Sequence, residues 1–310
     1  MTKNPSPPVD ALVIGDANVD LAWQLPGWPQ PGDDCQATGL RWDAGGGGVN
    51  AAIMLARLGF RVRLLARLGT DPAGQLLQTR FRTEGLVIDG LQSDPEISTG
   101  LCSAAVLPDG ERTFFSHRGC NPRLDLEQVP ARATADLRLL YVSSHSLLEG
   151  GQAGAARALL AQAREAQRFT VLDMGLPMAH RGLKGLTQVL DGLSLLAMNE
   201  QEARAMLGEG DADTWFQTLQ ARGVAAVAIK RGAKGSTLFV QGQRLDLPAL
   251  SVRSLDTTAC GDAFTSGLAW ALVEGQTPER GLRLANRLGA LTAQRAGSVS
   301  ALPGQTEAME

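Results

Sequence analysis

The segment Asp256–Phe264 places small residues, a glycine and two aspartates directly before an apolar helix pattern that runs to about Val273. Small residues at a helix start let several backbone N–H groups converge on one point, where the helix dipole adds positive potential. The pattern predicts an anion hole. Asp262, at the mouth of this helix, is a candidate base for a substrate hydroxyl, the chemistry that phosphoryl transfer requires. Helix capping by Asp256 or Asp262 is the structural alternative.

Four consecutive glycines at positions 45–48 precede Asn50 and a helix pattern. Glycines permit positive φ and a close approach of the backbone to a ligand. The spacing Gly46-x-Gly48-x-x-Ala51 also fits the loose dinucleotide-binding fingerprint, which is a weak signal when it stands alone. It lies far from the first predicted strand, so ligand binding of another kind is the preferred interpretation.

Short apolar runs alternate with amphipathic segments, as in parallel sheets joined by crossover helices. The predicted strands are 11–14, 62–66, 139–142, 171–173, 195–198 and 224–229. The predicted helices include 49–58, 154–166 and 201–207. The expected fold is α/β, with a doubly wound, mainly parallel sheet and helices on both faces.

Two stretches, 19–43 and 98–117, interrupt this alternation with short strand patterns separated by Pro and Gly turns. The second stretch contains a hairpin signal at Pro108-Asp109-Gly110. We expect both stretches to form one small β-sheet that lies as a lid over the ligand crevice. The whole chain, 1–310, is then a single α/β domain that carries this lid. Two unrelated surface excursions are the alternative.

The composition excludes several classes of protein. The chain has 310 residues, is 44% hydrophobic and 20% charged, and carries a formal net charge of -3, which suits a folded domain and favours neither a nucleic-acid nor a membrane-surface partner. The four cysteines show no metal-site spacing, and we expect reduced thiols. No apolar stretch is long enough for a membrane span and the first residues are polar, so the expected location is cytoplasmic.

The string DTTACGDAF at 256–264 resembles the C-terminal signature of the ribokinase-like, or PfkB-type, carbohydrate kinases, D-T-[ST]-[GA]-x-G-D-x-F. The string GGGGVNAA at 45–52, followed by LARLG, resembles the N-terminal signature of the same family. With weaker motifs in family order, the resemblance extends from residue 11 to about residue 303. It implies a ribokinase-like fold, ATP as the phosphate donor and Mg²⁺ as a cofactor.

The resemblance also implies roles for individual residues. Asp262 corresponds to the catalytic base, and the anion hole falls on Ala259, Cys260 and Gly261. The residues that correspond to the substrate site are Asp16, Asn18, Asp20, Gly46, Gly47, Asn50 and Asn121. Ribokinases proper carry a lysine where Gly47 stands, which puts ribose in doubt as the acceptor.

The N-x-x-E motif of the family, tied to Mg²⁺ and phosphate, corresponds to Asn199 and Glu202. Asn199 as a helix N-cap is the structural alternative. The residues that correspond to the nucleotide groove are Lys230, Gly232, Gly235 and Asn286. Asp256, Thr258 and Gly297 correspond to a monovalent-cation site, with K⁺ as the expected activator.

The acceptor class is less determined than the reaction. A sugar or sugar-like compound is the leading prediction, and a nucleoside is the second, because Trp23, Trp28 and Trp42 in the predicted lid would supply a wall for a base. The same tryptophans would instead pack a homodimer through the lid. A non-catalytic ligand-binding protein and a nicotinamide-dependent oxidoreductase are the alternatives from other classes.

Overall fold

The computed structural model describes residues 8–108, 111–129 and 137–309. The strands in these ranges are β1 (Ala11–Ile14), β2 (Asn18–Gln24), β3 (Gly39–Gly45), β4 (Val62–Gly69), β5 (Leu91–Asp94), β6 (Gly100–Val106), β7 (Arg112–His117), β8 (Leu139–Ser143), β9 (Phe169–Asp173), β10 (Leu195–Asn199), β11 (Ala226–Lys230), β12 (Ser236–Val240) and β13 (Gln243–Leu247).

The α-helices in the same ranges are α1 (Gly47–Arg57), α2 (Pro72–Thr83), α3 (Gly150–Glu165), α4 (Leu176–Ala179), α5 (Thr187–Leu190), α6 (Glu200–Leu207), α7 (Ala212–Gln220), α8 (Cys260–Val273), α9 (Pro278–Ala293) and α10 (Gln305–Met309). None of the helices in the described ranges has the length and apolar character that a bilayer span requires.

Within the described ranges the main sheet has nine strands, in the order β13-β12-β11-β10-β9-β8-β1-β4-β5. Every neighbouring pair from β11 to β5 is parallel, and β12 and β13 are added antiparallel. Strand β1 shows why the apolar runs are continuous, because Val13 packs in one core cluster and Ile14 in the other. A strand covered on both faces needs apolar residues at consecutive positions. The predicted fold class is confirmed.

Several predicted boundaries differ from the structure by two to four residues, and two of them have a clear local reason. Helix α3 begins at Gly150, earlier than position 154, because two glycines in its first turn resemble a loop in the sequence. Strand β11 begins at Ala226 because the N–H of Val224 donates to the Leu219 carbonyl and completes the preceding helical turn. Val224 is buried and apolar, so hydrophobicity alone extends the strand pattern too far.

The second sheet has four strands in the order β3-β2-β6-β7, and we call these strands the lid sheet. Strands β2 and β6 are parallel, and the two outer pairs are antiparallel. The two stretches that interrupt the α/β alternation therefore pair with each other. Of the predicted hairpin turn, Asp109 and Gly110 lie outside the described residues, as does the N-terminal segment 1–7.

The strand order of the main sheet reverses at β1, which lies between β4 and β8. In open α/β sheets the ligand crevice lies outside the carboxyl ends of the strands at such a switch point. Strand β1 leads there through residues 15–17 into the lid sheet. Four further strands end at the same edge, at Ser143, Asp173, Asn199 and Lys230.

Candidate active site

A cleft of about 730 Å³ runs along the carboxyl edge of the main sheet. One end is lined by Gly47, Ser143 and Asp262. The other end extends past Gly235 to Asn286. Gly47, the predicted base and the residues predicted to bind phosphate and nucleotide therefore line one cleft, whereas Asp20 lines a separate small cavity beside the lid sheet.

The predicted anion hole lies at the start of α8. Ala259, the residue before this helix, has φ 61°, which is uncommon for a residue with a side chain. The helix therefore starts abruptly, and the first-turn N–H groups of Gly261 and Asp262 have no carbonyl partner within the helix. Burial raises the pKa of the Cys260 thiol to about 12, which keeps it neutral beside the hole. The arrangement suits an anion, with Cys260 as a packing residue.

Asp262 lies in the first turn of α8 but does not cap the helix, because the N-cap residue is Ala259. Its Oδ2 accepts a hydrogen bond of 2.8 Å from Asn50 Nδ2. Burial, followed by the negative charge of Asp173, raises the pKa of Asp262 to about 8, although the Asn50 hydrogen bond opposes this shift. A carboxylate with a pKa near neutrality is suited to general-base catalysis.

Asp173 is a member of this site that the sequence interpretation missed. Its Oδ1 accepts hydrogen bonds from Lys230 Nζ at 2.8 Å and from Thr265 Oγ1 at 2.9 Å. Its Oδ2 accepts one from Tyr141 at 2.9 Å. The available signal was a carboxylate ending a buried apolar strand, β9, next to strands whose ends were already assigned to the site.

Asn18 and Asp20 lie on β2, which follows directly from the carboxyl end of β1. Asn18 Oδ1 accepts a 2.9 Å hydrogen bond from Asn121 Nδ2. Asn121 is fully buried, and its amide also bonds the backbone of Ala17 and Arg118. We therefore interpret Asn121 as a residue that orients Asn18, whereas the sequence predicted contact with substrate.

Asp20 and Asp43 face each other across β2 and β3. Burial, and then the charges of Asp43 and Asp256, raise the pKa of Asp20 to about 6, against the effect of a hydrogen bond from Ser298. Asp43, which the sequence interpretation also missed, accepts from the backbone N–H groups of residues 298 and 300. It fixes the 297–300 turn against the lid sheet.

Asp16 is engaged by an arginine. Both of its carboxylate oxygens accept 2.8 Å hydrogen bonds from Arg118, which also donates to the His145 carbonyl. Bidentate pairs of this kind are geometrically specific. In this conformation Asp16 fixes the loop after β1 to the segment after β7, rather than presenting a free carboxylate to a ligand.

Gly46 and Gly47 allow close packing at the start of α1. Gly46 has φ 92°, and a Cβ there would lie 2.4 Å from the Asp16 carbonyl oxygen. A Cβ at Gly47 would lie 2.8 Å from Ser143 Oγ. Any side chain at position 47 would therefore require Ser143 to move, because the Ser143 hydroxyl occupies the space that this side chain would need.

Asp256 holds the loop before the anion hole. It accepts from the N–H and hydroxyl of Thr258 and from the N–H of Gly297. The guanidinium of Arg112, from β7 of the lid sheet, also bonds the Asp256 carboxylate and the hydroxyl of Thr258. The predicted monovalent-cation residues are thus brought together, but in this conformation they fit an added cation poorly because Arg112 already supplies positive charge.

Asn199 and Glu202 form a reciprocal capping box at the start of α6. The Asn199 side chain accepts from the Glu202 N–H, and Glu202 Oε2 accepts from the Asn199 N–H. Within the described residues no group of three or more acidic, His or Cys side chains is arranged to hold a metal. These residues fit Mg²⁺ held mainly by phosphate and water, with Glu202 at the cleft, since Mg²⁺ usually keeps several waters.

The other end of the cleft is built from the turn after β11 and from α9. Gly232 and Gly235 have φ 56° and 93°, and the turn they form brings backbone to the groove wall. Asn286 on α9 accepts a 2.8 Å hydrogen bond from Ser236. Lys230 lies at the buried end of this segment, closer to Asp262 than the sequence interpretation placed it.

The family model for "pfkB family carbohydrate kinase" matches residues 10–305. The chain is 29% identical to a ribokinase of Arabidopsis thaliana, covering 99% of this chain and 83% of that protein. It is 29% identical to a fructokinase of Escherichia coli, covering 95% and 96%. A solved ribokinase from Thermotoga maritima superposes with a TM-score of 0.84 at 24% identity, covering 97% and 98%.

The chain therefore belongs to the pfkB family of carbohydrate kinases. The family membership makes it a sugar kinase by class, which removes the oxidoreductase and the non-catalytic binding protein from the alternatives. The structure gives an independent reason against the dinucleotide reading of the glycine run. That run joins lid strand β3 to α1, whereas a dinucleotide fingerprint joins the first strand of the main sheet to its helix.

Proposed function

We propose that this protein transfers the γ-phosphate of ATP to a hydroxyl of a sugar or sugar-like small molecule, with Asp262 as the general base. The observation that carries the proposal is the placement of the Asp262 carboxylate at the first turn of α8, beside the N–H groups of Ala259–Gly261 and 2.8 Å from Asn50. An acceptor hydroxyl at this point would lie within reach of the base. The backbone N–H groups beside it would stabilise the phosphoryl group that the hydroxyl attacks.

Asn50 supports a hydroxyl-bearing acceptor. It is buried, its Nδ2 is bonded to Asp262, and its Oδ1 has no hydrogen-bond partner among the described residues. A buried acceptor without a partner is costly, and a donor hydroxyl of the substrate would satisfy it. Asn18 and Asp20 on strand β2 supply further polar groups, as a polyhydroxylated acceptor requires.

A sugar suits the site better than a nucleoside. Strand alternation places Trp23 and Trp42 on the face of the lid sheet opposite to Asp20, so neither lines the acceptor side. Phe114 is the aromatic residue of the lid that lines the small cavity beside Asp20. Two of the three tryptophans on which the nucleoside prediction depended therefore point away from the site.

The proposal also includes Mg²⁺, K⁺ and a homodimer. Glu202 and Asn199 would hold the Mg²⁺ that accompanies ATP, and the ion would supply charge neutralisation during transfer. Asp256 and Thr258 would hold K⁺ in a conformation in which Arg112 does not bond them. The homodimer forms through the outer face of the lid sheet, which exposes Trp42 and Phe115. The cytoplasmic location expected from the sequence stays a prediction.

The test is a coupled assay of ADP release with ATP and Mg²⁺ over pentoses, hexoses, sugar acids, nucleosides and phosphosugars. We expect acceptor-dependent ADP release with one sugar or sugar-like class, and its loss in Asp262→Asn. A nucleoside as the best acceptor would contradict the sugar assignment. Acceptor-dependent release that persists undiminished in Asp262→Asn would contradict the assignment of the base.

A further inference from the structure

Beneath the anion hole lies a buried ion pair to which the sequence assigned no joint role. Asp173 ends β9, Lys230 ends β11, and both are almost entirely enclosed. Three groups donate to the Asp173 carboxylate: the ammonium of Lys230, the hydroxyl of Thr265 and the phenol of Tyr141. A buried carboxylate with three donors is fixed in position, so the ammonium that it holds is fixed as well.

The held ammonium lies next to the backbone of the hole. A Cβ built on Gly261 would lie 3.2 Å from Lys230 Nζ. An ammonium has three donors. Lys230 uses one on Asp173 and directs a second, at 3.4 Å, towards Thr265. One donor therefore remains for a ligand, and both Lys230 and Gly261 line the cleft.

We propose that Lys230 donates to the transferring phosphoryl group beside Gly261, and that Asp173 is the positioning residue that keeps Lys230 there. The proposal rests on the kinase function proposed above. It gives Lys230 a role in the transfer step, beyond a general place in the nucleotide groove. It also gives a function to the negative charge of Asp173, which repels the base.

The transfer step balances without any further reactant. The acceptor hydroxyl gives its proton to Asp262 as its oxygen bonds the γ-phosphorus, and the bond from that phosphorus to the β,γ-bridging oxygen breaks to release ADP. Lys230 remains an ammonium throughout and stabilises the charge on the phosphoryl oxygens. Burial lowers the pKa of Lys230, but the charges of Asp173 and Glu202 outweigh this effect and raise it.

Replacing Asp173 and replacing Lys230 should shift the pKa of Asp262 in opposite directions. Asp173 raises the pKa of Asp262 by repulsion, whereas Lys230 and the Asn50 hydrogen bond lower it. Four other ionisable groups of the described residues face this cluster. Burial raises the pKa of Tyr141 and of Cys260 and lowers the pKa of His145, so all three tend to stay neutral, and Glu202 lies near Lys230. Loss of Asp173 should therefore lower the pKa of the base, and loss of Lys230 should raise it.

The experiment measures kcat/KM for the acceptor against pH, at saturating ATP, in the wild type, Asp173→Asn and Lys230→Met. Activity falls on the acid side as the base becomes protonated. We expect this acid limb to move to lower pH in Asp173→Asn and to higher pH in Lys230→Met. We also expect kcat at the optimum to fall on the order of a hundredfold in Lys230→Met, as for the loss of one oxyanion donor.

Tyr141→Phe is the matched control, because it removes one hydrogen bond to Asp173 and no charge. Its acid limb should stay within a few tenths of a pH unit of the wild-type position, well below the shift of about one unit expected for a lost neighbouring charge. The proposal would be overturned if the acid limb of the pH profile moved in the same direction in Asp173→Asn and Lys230→Met, or if it did not move in either variant. A raised KM for ATP at unchanged kcat in Lys230→Met would also overturn it, since this indicates ground-state binding only.

A second measurement separates this proposal from the kinase function itself. Carboxyl ¹³C NMR of aspartate-labelled protein follows the Asp262 titration without turnover. If the wild type releases no ADP with any acceptor, the kinase function fails while the opposite shifts in the Asp262 titration still test the charge arrangement. If the wild type is active and the titration of Asp262 is the same in all variants, the role of the pair is refuted.

Discussion

Among the described residues, two clusters of acidic side chains lie near the candidate site, and each faces a cation that comes from a different part of the fold. In the first, Asp262 and Asp173 face Lys230, which is the last residue of a strand in the nine-stranded sheet. In the second, Asp20 and Asp256 lie near Arg112, which belongs to the lid sheet. We call these the core cluster and the lid cluster.

The two clusters differ in what keeps them assembled. The core cluster depends on parallel strands that are covered on both faces, so its geometry holds wherever the lid sheet lies. The lid cluster exists only while β7 lies over the loop at 256–258. Elements that cover an active site often move during turnover, and the Arg112 contact would then form and break with that motion. Loss of a core residue should therefore affect chemistry, and loss of a lid residue should affect binding and ion response.

The largest expected effect is that of Asp262→Asn in the core cluster. The amide is nearly isosteric and still accepts from Asn50, but it cannot accept the proton. General-base catalysis contributes on the order of 10² to 10⁴ in rate, so kcat and kcat/KM should fall together by at least about a hundredfold. Steady-state kinetics and ATP binding by calorimetry provide the measurement, and ATP affinity should be nearly unchanged.

Asp256→Asn in the lid cluster is the matched control for that variant. Its amide oxygen still accepts from the Thr258 N–H, so we expect a much smaller loss of kcat and a larger change in KM for the acceptor. Retention of more than about a tenth of wild-type kcat by Asp262→Asn, far from the loss expected for a base, would contradict the assignment of the base. Equal losses in the two variants would remove the distinction between the clusters.

Glu202→Gln should have the next largest effect. The amide preserves the capping hydrogen bond to the Asn199 N–H but removes the charge that faces the cleft near Lys230. We expect a higher Mg²⁺ concentration for half-maximal activity, because a carboxylate holds a hydrated divalent ion better than an amide does. A Mg²⁺ titration of initial rates measures this. Superimposable curves for the variant and the wild type would exclude Glu202 from the metal site.

Arg112→Gln tests whether the lid supplies the cation of the second cluster. Removing this guanidinium leaves Asp256 with only the more distant Arg41, at 3.7 Å, as a positive partner, so a monovalent ion should bind there more readily. We expect a greater increase in rate with K⁺ than with Na⁺ in Arg112→Gln, and a smaller difference in the wild type. Rates in both salts at constant ionic strength provide the comparison. The same K⁺ response in both proteins would show that Arg112 does not exclude the ion.

The smallest effect on turnover should come from the outer face of the lid sheet. Trp42 is 55% exposed, and Phe115, which is 57% exposed, stacks on Trp28 with ring centroids 6.4 Å apart. Clustered exposed aromatic side chains mark interfaces. We expect Trp42→Ser to shift the protein towards monomer in light scattering at little cost in kcat. Met309→Ser, at an exposed residue outside the lid, is the control, and a wild-type protein that is already monomeric would contradict the dimer.

The sequence indicated the core cluster only in part. Asp262 was predictable because it stands in a short string with a glycine, small residues and a helix, all close in sequence. Asp173 stands about 90 residues away and has no such neighbours; only the register of β9 against β8 and β10 brings it beneath the hole. The same holds for Asn121, whose burial and bonds to Asn18 and Ala17 depend on packing between distant segments.

What the sequence determined by itself is the local part of the protein: the alternation of strands and helices, the glycine turns, and the aspartate at the mouth of the helix that follows the small residues. These follow from periodicity and from residue types within short windows. The tertiary structure decided which charges meet. Lys230 turned from a groove residue into the partner of Asp173, and Arg112 came to lie on Asp256, because ion pairs depend on distances that only the packed sheets establish.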